Sequence, residues 1–266
     1  MSAPNGARRI KSDHDAVPIT SDEIAACAES LREQQVSVLH LHVRDEQAAH
    51  TLDAGRYRDA INAVRGRVGP DLVIQVTTEA VGKYTAAEQI SLVKDLRPEA
   101  VSLALRELCP TAADESTAAE FFGWLQREKI WPQYILYSPE EVARFDELRR
   151  RGVFADTHPF CLFVLGRYTD KLQGEVGELN DMLDVTDCRE FPWAVCCFGR
   201  VEHDAALSAD ESGGHVRIGF ENNLMRADGT LASSNAELIA DFFRARKDSA
   251  REPATADDIR NAQVWT

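Results

Sequence analysis

Two histidines separated by one residue lie in an apolar segment, residues 36–45, that ends in Arg and Asp. Because the side chains of a strand alternate between its faces, His40 and His42 point the same way, whereas Leu39 and Leu41 face the other side and can pack under a helix. Two imidazoles on one face near a strand end are half of a metal site, for which zinc is the best-suited ion. The alternative is one hydrogen-bonded core histidine beside one surface histidine, but the position inside an apolar strand favours the metal site.

Composition limits the classes of protein to consider. The 266 residues carry a net charge of −14, which argues against a nucleic-acid-binding surface. No apolar run approaches the roughly 20 residues of a membrane span, and residues 1–11 have no apolar core of a secretory signal. The six cysteines are scattered without a Cys-x-x-Cys pair, which indicates reduced thiols in a cytoplasmic protein.

Apolar segments alternate with amphipathic ones along the chain. The predicted strands are residues 2–5, 36–45, 72–78, 100–105, 131–137, 160–165, 193–198 and 216–220. The predicted helices are residues 18–34, 57–65, 85–96, 116–129, 138–152, 175–183, 204–210 and 235–246. Near-continuous apolar strands separated by helices indicate a parallel sheet covered by helices. Eight such units predict a closed (β/α)8 TIM barrel, one domain over residues 1–266 with a short C-terminal extension.

The choice between a closed barrel and an open, doubly wound sheet decides which residues can meet the histidines. No Gly-x-Gly-x-x-Gly follows a predicted strand and there is no P-loop motif, so an open nucleotide-binding sheet has no support. In a barrel the eighth strand lies beside the first, one strand away from the His pair. Glu221, at the end of that eighth strand, can therefore supply a third ligand, although an exposed loop carboxylate is the alternative. Two His and one carboxylate also suit Fe(II), so the identity of the metal stays open.

At these residues the sequence resembles a known family. The chain resembles the β-keto acid cleavage enzymes, whose best-known member is the 3-keto-5-aminohexanoate cleavage enzyme. The most specific matches are residues 39–44 and 213–224. Weaker matches cover residues 5–7, 18–20, 163–166 and 232–238, so the resemblance extends over nearly the whole chain.

The resemblance implies a zinc-dependent barrel that is usually oligomeric, as a dimer or tetramer. Its members convert a β-keto acid and acetyl-CoA, the co-substrate, into acetoacetate and a new acyl-CoA. The implied steps are deprotonation, Claisen-type addition to the thioester, transfer of CoA and retro-Claisen cleavage. The small-molecule partners would be a β-keto acid and a CoA thioester.

The resemblance also assigns roles to individual residues. His40, His42 and Glu221 match the zinc ligands. Arg217 matches an arginine of the proton-transfer machinery, and Thr77 and Ser102 fall where hydroxyl side chains contact substrate. The candidate catalytic residues are therefore Arg217, Asn222 and Thr77, and the candidate substrate-binding residues are Arg8, Ser102 and Asn5.

Two departures from the family pattern affect the expected chemistry. Asn222 stands where the family usually has Asp, and an amide cannot accept a proton as a carboxylate does. Arg8 stands where the lysine-fermentation enzyme has Glu, and residues 133–135 carry no acid. We therefore expect a dicarboxylic or neutral β-keto acid in preference to 3-keto-5-aminohexanoate, unless Arg8 points to solvent. Two alternatives stay open: another metal-dependent lyase or hydrolase on the same barrel, and a non-catalytic metal- or ligand-binding homologue.

Overall fold

Seven parallel strands form one curled sheet in the computed structural model, which describes residues 1–156, 158–169, 171–185, 191–246 and 251–262. In sheet order the strands are β1 (Val38–Leu41), β4 (Val73–Thr77), β5 (Ala100–Ala104), β6 (Trp131–Leu136), β7 (Phe160–Leu165), β8 (Trp193–Cys197) and β9 (His215–Val216). Every neighbouring pair is parallel, so all of the carboxyl ends lie at one edge. Cys188 and the last four residues of the predicted C-terminal extension lie outside the described residues.

Helices cover the sheet on its outer face, except for the last one, whose Ala256 packs in one cluster with the inward-facing Val38 and Val73. They are α1 (Ser21–Glu33), α2 (Ala54–Val68), α3 (Ala86–Leu96), α4 (Leu105–Leu108), α5 (Glu115–Glu128), α6 (Pro139–Arg150), α7 (Gly177–Leu183), α8 (Glu202–Glu211), α9 (Asn235–Ala245) and α10 (Ala256–Ala262). A 3-10 turn, Ala112–Asp114, precedes α5. Among the described residues no helix is both long and apolar enough to cross a membrane.

The first helix shows how local sequence produces this layer. Thr20 accepts a hydrogen bond from the Glu23 backbone, and the Glu23 side chain bonds back to the Thr20 backbone, so the capping box begins α1. Its apolar stripe, including Ile24 and Leu31, is fully buried in one cluster with Leu39 of β1. Leu39 and Leu41, the outward-facing residues on either side of His40, thus pack under a helix, as the alternation predicted.

The predicted first strand is replaced by a single bridging residue. Ser2 forms parallel bridges to Leu39 in β1 and to Ile218 just beyond β9. Ala3 donates to Ile218 O at 3.0 Å, but Pro4 has no N–H with which to continue a ladder. The structure therefore has seven sheet strands where the sequence predicted eight, and the N-terminus lies between the first and the last of them.

The strand that carries the histidines is shorter than predicted. It ends at Leu41, and β2 (Val43–Arg44) turns away to pair antiparallel with β3 (His50–Thr51). This hairpin was not predicted because its strands have only two residues each. The predicted last strand is likewise reduced to His215–Val216, since Gly219 follows with a positive φ of 154°.

Candidate metal centre and surrounding active-site cavity

The two histidines and Glu221 converge at the carboxyl edge of the sheet. His40 Nε2 lies 3.1 Å from His42 Nε2, and Glu221 Oε2 lies 3.6 Å from the first and 3.5 Å from the second. Both imidazoles are at most 1% exposed, and the Glu221 side chain is 11% exposed. One donor atom from each residue lies within 4.8 Å of the others, and among the described residues no second group of this kind is found.

Gln75 determines which nitrogen of His40 is free. Its amide nitrogen donates to Gln133 Oε1 at 3.2 Å, so its Oε1 faces His40 Nδ1 at 2.8 Å and can only accept. His40 therefore carries its proton on Nδ1 and presents an unprotonated Nε2 to the cluster. Burial and the nearby Arg217 cation lower the pKa of His40 well below its usual range, so the ring is neutral. A neutral imidazole whose far nitrogen is hydrogen-bonded is the arrangement found at metal-binding histidines.

Glu221 completes the donor set as a carboxylate. Burial alone would raise its pKa, but Arg217, His42 and His40 hold that pKa well below its usual range. Among the described residues its Oε2 atom is buried without a hydrogen-bond partner, although it faces both histidines. Two imidazole nitrogens and a carboxylate with this unsatisfied oxygen fit a divalent cation.

Arg217 connects this cluster to the neighbouring strand. Its side chain is 3% exposed, its Nη2 lies 3.5 Å from Glu221 Oε1, and the same nitrogen donates to Cys196 Sγ at 3.2 Å. Its Nε has no partner among the described residues. The guanidinium thus retains a free donor beside the cluster.

Five of the predicted site residues line one narrow cavity of about 20 Å³, namely His40, Thr77, Ser102, Arg217 and Glu221. Thr77 and Ser102 lie opposite each other in the β4–β5 register. Thr77 Oγ1 accepts from the Glu79 backbone at 3.1 Å, whereas the buried Ser102 Oγ has no hydrogen-bond partner in the described part of the chain. The Ser102 hydroxyl is therefore available to a molecule that enters from the open side.

An adjoining cavity of about 250 Å³ leads outward and is lined by residues of the N-terminal loop, including Arg8 and Arg9. It shares Glu79, Arg167 and Glu221 with the narrow cavity. Arg8 is exposed at this mouth. The sequence suggested that Arg8 either meets the substrate or points to solvent, and its position at the cavity wall is compatible with both.

The N-terminal loop contacts the cluster of His40, His42 and Glu221 directly. Asn5 Nδ2 donates to Pro18 O at 2.9 Å and to His42 O at 3.1 Å. A Cβ at Gly6 would lie 2.5 Å from Glu221 Cγ, so only glycine permits this close approach at its φ of 59°. Arg44, 5% exposed, donates to the backbone oxygens of Asn5, Gly6 and Arg9. Asn5 therefore holds the loop and His42 in place but does not line either cavity.

Several buried polar residues at the site were not recognised from the sequence. They are Gln75 and Gln133 behind His40, His50 with its ring centroid 5.1 Å from that of His42, the Glu79–Arg167 ion pair at 2.9 Å, and Glu202 behind Asn222. Gln75 and Gln133 did carry a signal, since each interrupts an apolar strand. Glu202 carried none, because an acid in the first turn of a helix is ordinary.

Asn222 lies beside the cluster but does not line either cavity. Its Nδ2 donates to Glu202 Oε1 at 3.0 Å and to Arg217 O at 3.1 Å. Its Oδ1 is buried without a partner. The residue predicted to be catalytic is thus held by its amide nitrogen.

Comparison with known proteins identifies the family of this chain. The chain matches the sequence profile described as beta-keto acid cleavage enzyme over residues 1–263. A 3-keto-5-aminohexanoate cleavage enzyme of Fusobacterium nucleatum is 31% identical over 261 residues, covering 96% of this chain and 93% of that protein. A 3-oxoadipate:acetyl-CoA acetyltransferase of Cupriavidus necator is 25% identical over 263 residues, covering 97% and 91%.

Solved structures share the fold at much lower identity. A ternary complex of ObcA with a C4-CoA adduct and oxalate superposes with a TM-score of 0.72 at 14% identity, covering 93% of this chain and 67% of that one. The 3-dehydroquinate dehydratase of Enterococcus faecalis superposes with a TM-score of 0.56 at 10% identity, covering 92% of each chain. At these identities the likeness concerns the α/β architecture alone.

Proposed function

This chain belongs to the beta-keto acid cleavage enzyme family, and on that premise we propose that it converts a β-keto acid and acetyl-CoA into acetoacetate and a new acyl-CoA. The observation that carries the proposal is the His40–His42–Glu221 cluster beside the buried cation of Arg217. The name of the Cupriavidus relative, which pairs a keto acid with acetyl-CoA, supports the choice of co-substrate.

The test is direct detection of product. Purified protein, a panel of β-keto acids and acetyl-CoA should give a new CoA ester in mass spectrometry, dependent on both metal and acetyl-CoA. Absence of any CoA ester across the panel would favour the non-catalytic homologue, which the amide at Asn222 supports. A product that forms without acetyl-CoA would favour another metal-dependent lyase or hydrolase.

The proposed metal ligands are His40, His42 and Glu221, with zinc preferred and Fe(II) as the alternative. A bound divalent ion would act as a Lewis acid that polarises the keto and carboxylate oxygens and stabilises enolate charge. Metal analysis of His42→Ala should show loss of the stoichiometric metal found in the wild type, because one of three ligands is removed. The exposed His158→Ala variant serves as the matched control and should retain the metal. Full retention in His42→Ala would refute the site.

Around the metal, the protein's own side chains would bind and orient the substrate. The buried hydroxyl of Ser102 and that of Thr77 line the narrow cavity together with Arg217, so they are suited to hold the carboxylate of a β-keto acid. Arg217, fully charged in this position, would stabilise the negative charge that develops on deprotonation. Asn222 cannot act as the base and is assigned a hydrogen-bonding role in the catalytic set.

The mouth of the site suggests the charge of the distal end of the substrate. Arg8 and Arg9 line the outer cavity, as does Arg167, although Arg167 is paired with Glu79. Arginines favour a carboxylate or hydroxyl over an ammonium group. We expect kcat/KM to be higher for β-ketoadipate or β-ketohexanoate than for 3-keto-5-aminohexanoate, and Arg8→Glu to narrow that difference. If the amino substrate is the best of the three for the wild type, the assignment of Arg8 is wrong.

The remaining proposals concern the whole chain. Pairing of Ser2 with segments at both edges of the sheet supports a closed (β/α)8 barrel and a single domain over residues 1–266. Among the described residues, Cys27, Cys109, Cys196 and Cys197 form no disulfide, which supports a cytoplasmic location. We also propose a homo-oligomer, a dimer or tetramer, as in the family; a monomer mass in light scattering at micromolar concentration would contradict it.

A further inference from the structure

Glu202 is a buried acid with no cationic partner. It is the first residue of α8, is 2% exposed and makes no ion pair among the described residues. Its Oε1 accepts from Gly219 N and from Asn222 Nδ2, both at 3.0 Å, and its Oε2 accepts from Asn223 Nδ2 at 3.3 Å. Three N–H donors contact this carboxyl group, and within the described part of the chain no cation lies within ion-pair distance of it. Such a group is costly to bury, so its presence directly behind the site requires a reason.

The contact with Glu202 fixes the orientation of the neighbouring amide. Asn222 Nδ2 faces two acceptors, Glu202 Oε1 and Arg217 O. Turning the amide over would bring its oxygen against both of them, which is repulsive. The nitrogen is therefore committed to this side, and within the described part of the chain Oδ1 is left buried without a hydrogen-bond partner. Asn222 thus keeps a free acceptor only while position 202 supplies an acceptor.

We propose that Glu202 and Asn222 form one acid–amide pair, in which Glu202 is a positioning residue that holds the Asn222 amide against the Arg217 backbone. The inference rests on the proposed function for its kinetic consequence, because Arg217 belongs to the proposed catalytic set. Glu202 Oε1 accepts from both Gly219 and Asn222, so the Glu202 carboxyl group lies one hydrogen bond from the residue that follows Glu221 in the chain.

The pair can be tested by exchanging the acid and the amide between positions 202 and 222. Asn222→Asp alone would place two carboxyl groups about 3 Å apart in a buried site, where like charges cannot both ionise. Glu202→Gln alone would turn a donor toward Asn223 or Asn222. The exchange Glu202→Gln with Asn222→Asp restores one acid and one amide in contact.

The experiment is a double-mutant cycle on the metal-loaded enzyme, with kcat and KM for CoA-ester formation and with metal content. Glu202→Gln should lower kcat by roughly tenfold in the wild-type background while metal content stays stoichiometric. In the Asn222→Asp background the same change should raise kcat. The difference between these two effects is the coupling expected of contacting residues. If Glu202→Gln lowers kcat by the same factor in both backgrounds, the two residues do not act as a pair and the proposal is overturned.

Asn223 provides the matched control. It also donates to Glu202, but its other contacts are with the Met225 backbone rather than with Arg217. Asn223→Asp should lower the urea midpoint while kcat per folded molecule stays within about threefold of wild type. Equal effects of Asn222→Asp and Asn223→Asp on kcat would show that Glu202 has only a structural role.

The same four proteins of the cycle are also unfolded in urea, which separates failure of this proposal from failure of the proposed function. If the wild type forms no CoA ester, the enzymatic assignment fails, and the unfolding cycle decides whether the pair exists. Non-additive midpoints, with Asn222→Asp rescued by Glu202→Gln, support the pair. Additive midpoints overturn it.

Discussion

Glu221 and Glu202 are two largely buried glutamates at the same end of the sheet whose environments have opposite effects on their acidity. Arg217, His42 and His40 overcome burial and hold the pKa of Glu221 well below its usual range. Glu202 has amide donors and only a more distant Arg217 against the same penalty, so burial raises its pKa to about 8. A cation in contact with the carboxyl group, as Arg217 is with Glu221, therefore has more influence on ionisation here than the number of hydrogen bonds.

The largest expected effect comes from removing the charge of Glu221. In metal-free protein, Glu221→Gln should lower the free energy of unfolding by about 3 kcal/mol, because it leaves the buried Arg217 cation without its carboxylate. Glu202→Gln removes no cation's partner and should cost only about 1 kcal/mol. Urea unfolding of both variants measures the difference. In an Arg217→Met background, Glu221→Gln should lower the free energy of unfolding by less. Equal losses with and without Arg217 would contradict the contrast between Glu221 and Glu202.

The next effect is on the pH dependence of stability. Because the pKa of Glu202 is about 8 in the folded protein and near 4.5 ordinarily, the folded state holds a proton that the unfolded state has released between these values. The free energy of unfolding therefore falls as pH rises from about 5 to 8, and Glu202→Gln should make that fall shallower.

Urea unfolding of wild type and Glu202→Gln at pH 5.5, 6.5 and 7.5 checks this expectation. The groups that face Glu202 are Arg217 after β9 and the thiols of Cys196 and Cys197 in β8, and all are present in both proteins. Glu107, whose pKa burial raises to about 7, contributes a slope of the same sign to both and cancels. Parallel slopes would mean that Glu202 is ionised throughout.

The smallest effect belongs to an exposed ion pair. Arg58 and Asp95 lie 2.9 Å apart with side chains 48% and 62% exposed. Arg58→Ala should change the free energy of unfolding by less than about 0.5 kcal/mol, because solvent screens the pair. A loss as large as that of Glu221→Gln would show that burial is not what separates strong from weak charge pairs in this protein.

Some features of the site follow from local sequence alone. The period of two in a strand places His40 and His42 on one face and Leu39 and Leu41 on the other, and the structure has this arrangement. The parallel order of the sheet also follows, since seven apolar strands alternate with helices. These properties depend on residues that are close together in the sequence, so they can be predicted without the tertiary structure.

Other features required the whole molecule. The predicted proximity of Glu221 to the histidines is found, but it depends on Ser2, which bridges the first strand to the segment after the last. The tautomer of His40 depends on Gln75 and Gln133 in other strands. The predicted first strand is reduced to a bridge at Ser2, because Pro4 has no N–H with which to extend the ladder. The consequence of this proline appears only when the neighbouring strands are known.

The residue types and their spacing thus determined which groups could do chemistry, whereas the tertiary structure decided their protonation and their partners. Glu202 is the clearest case. In sequence it is an acid in the first turn of a helix, where negative charge is ordinary. Only packing against Asn222, Asn223 and Gly219 removes it from water and places it behind the site. Desolvation and hydrogen bonding depend on atoms far apart in the chain, and no local pattern records them.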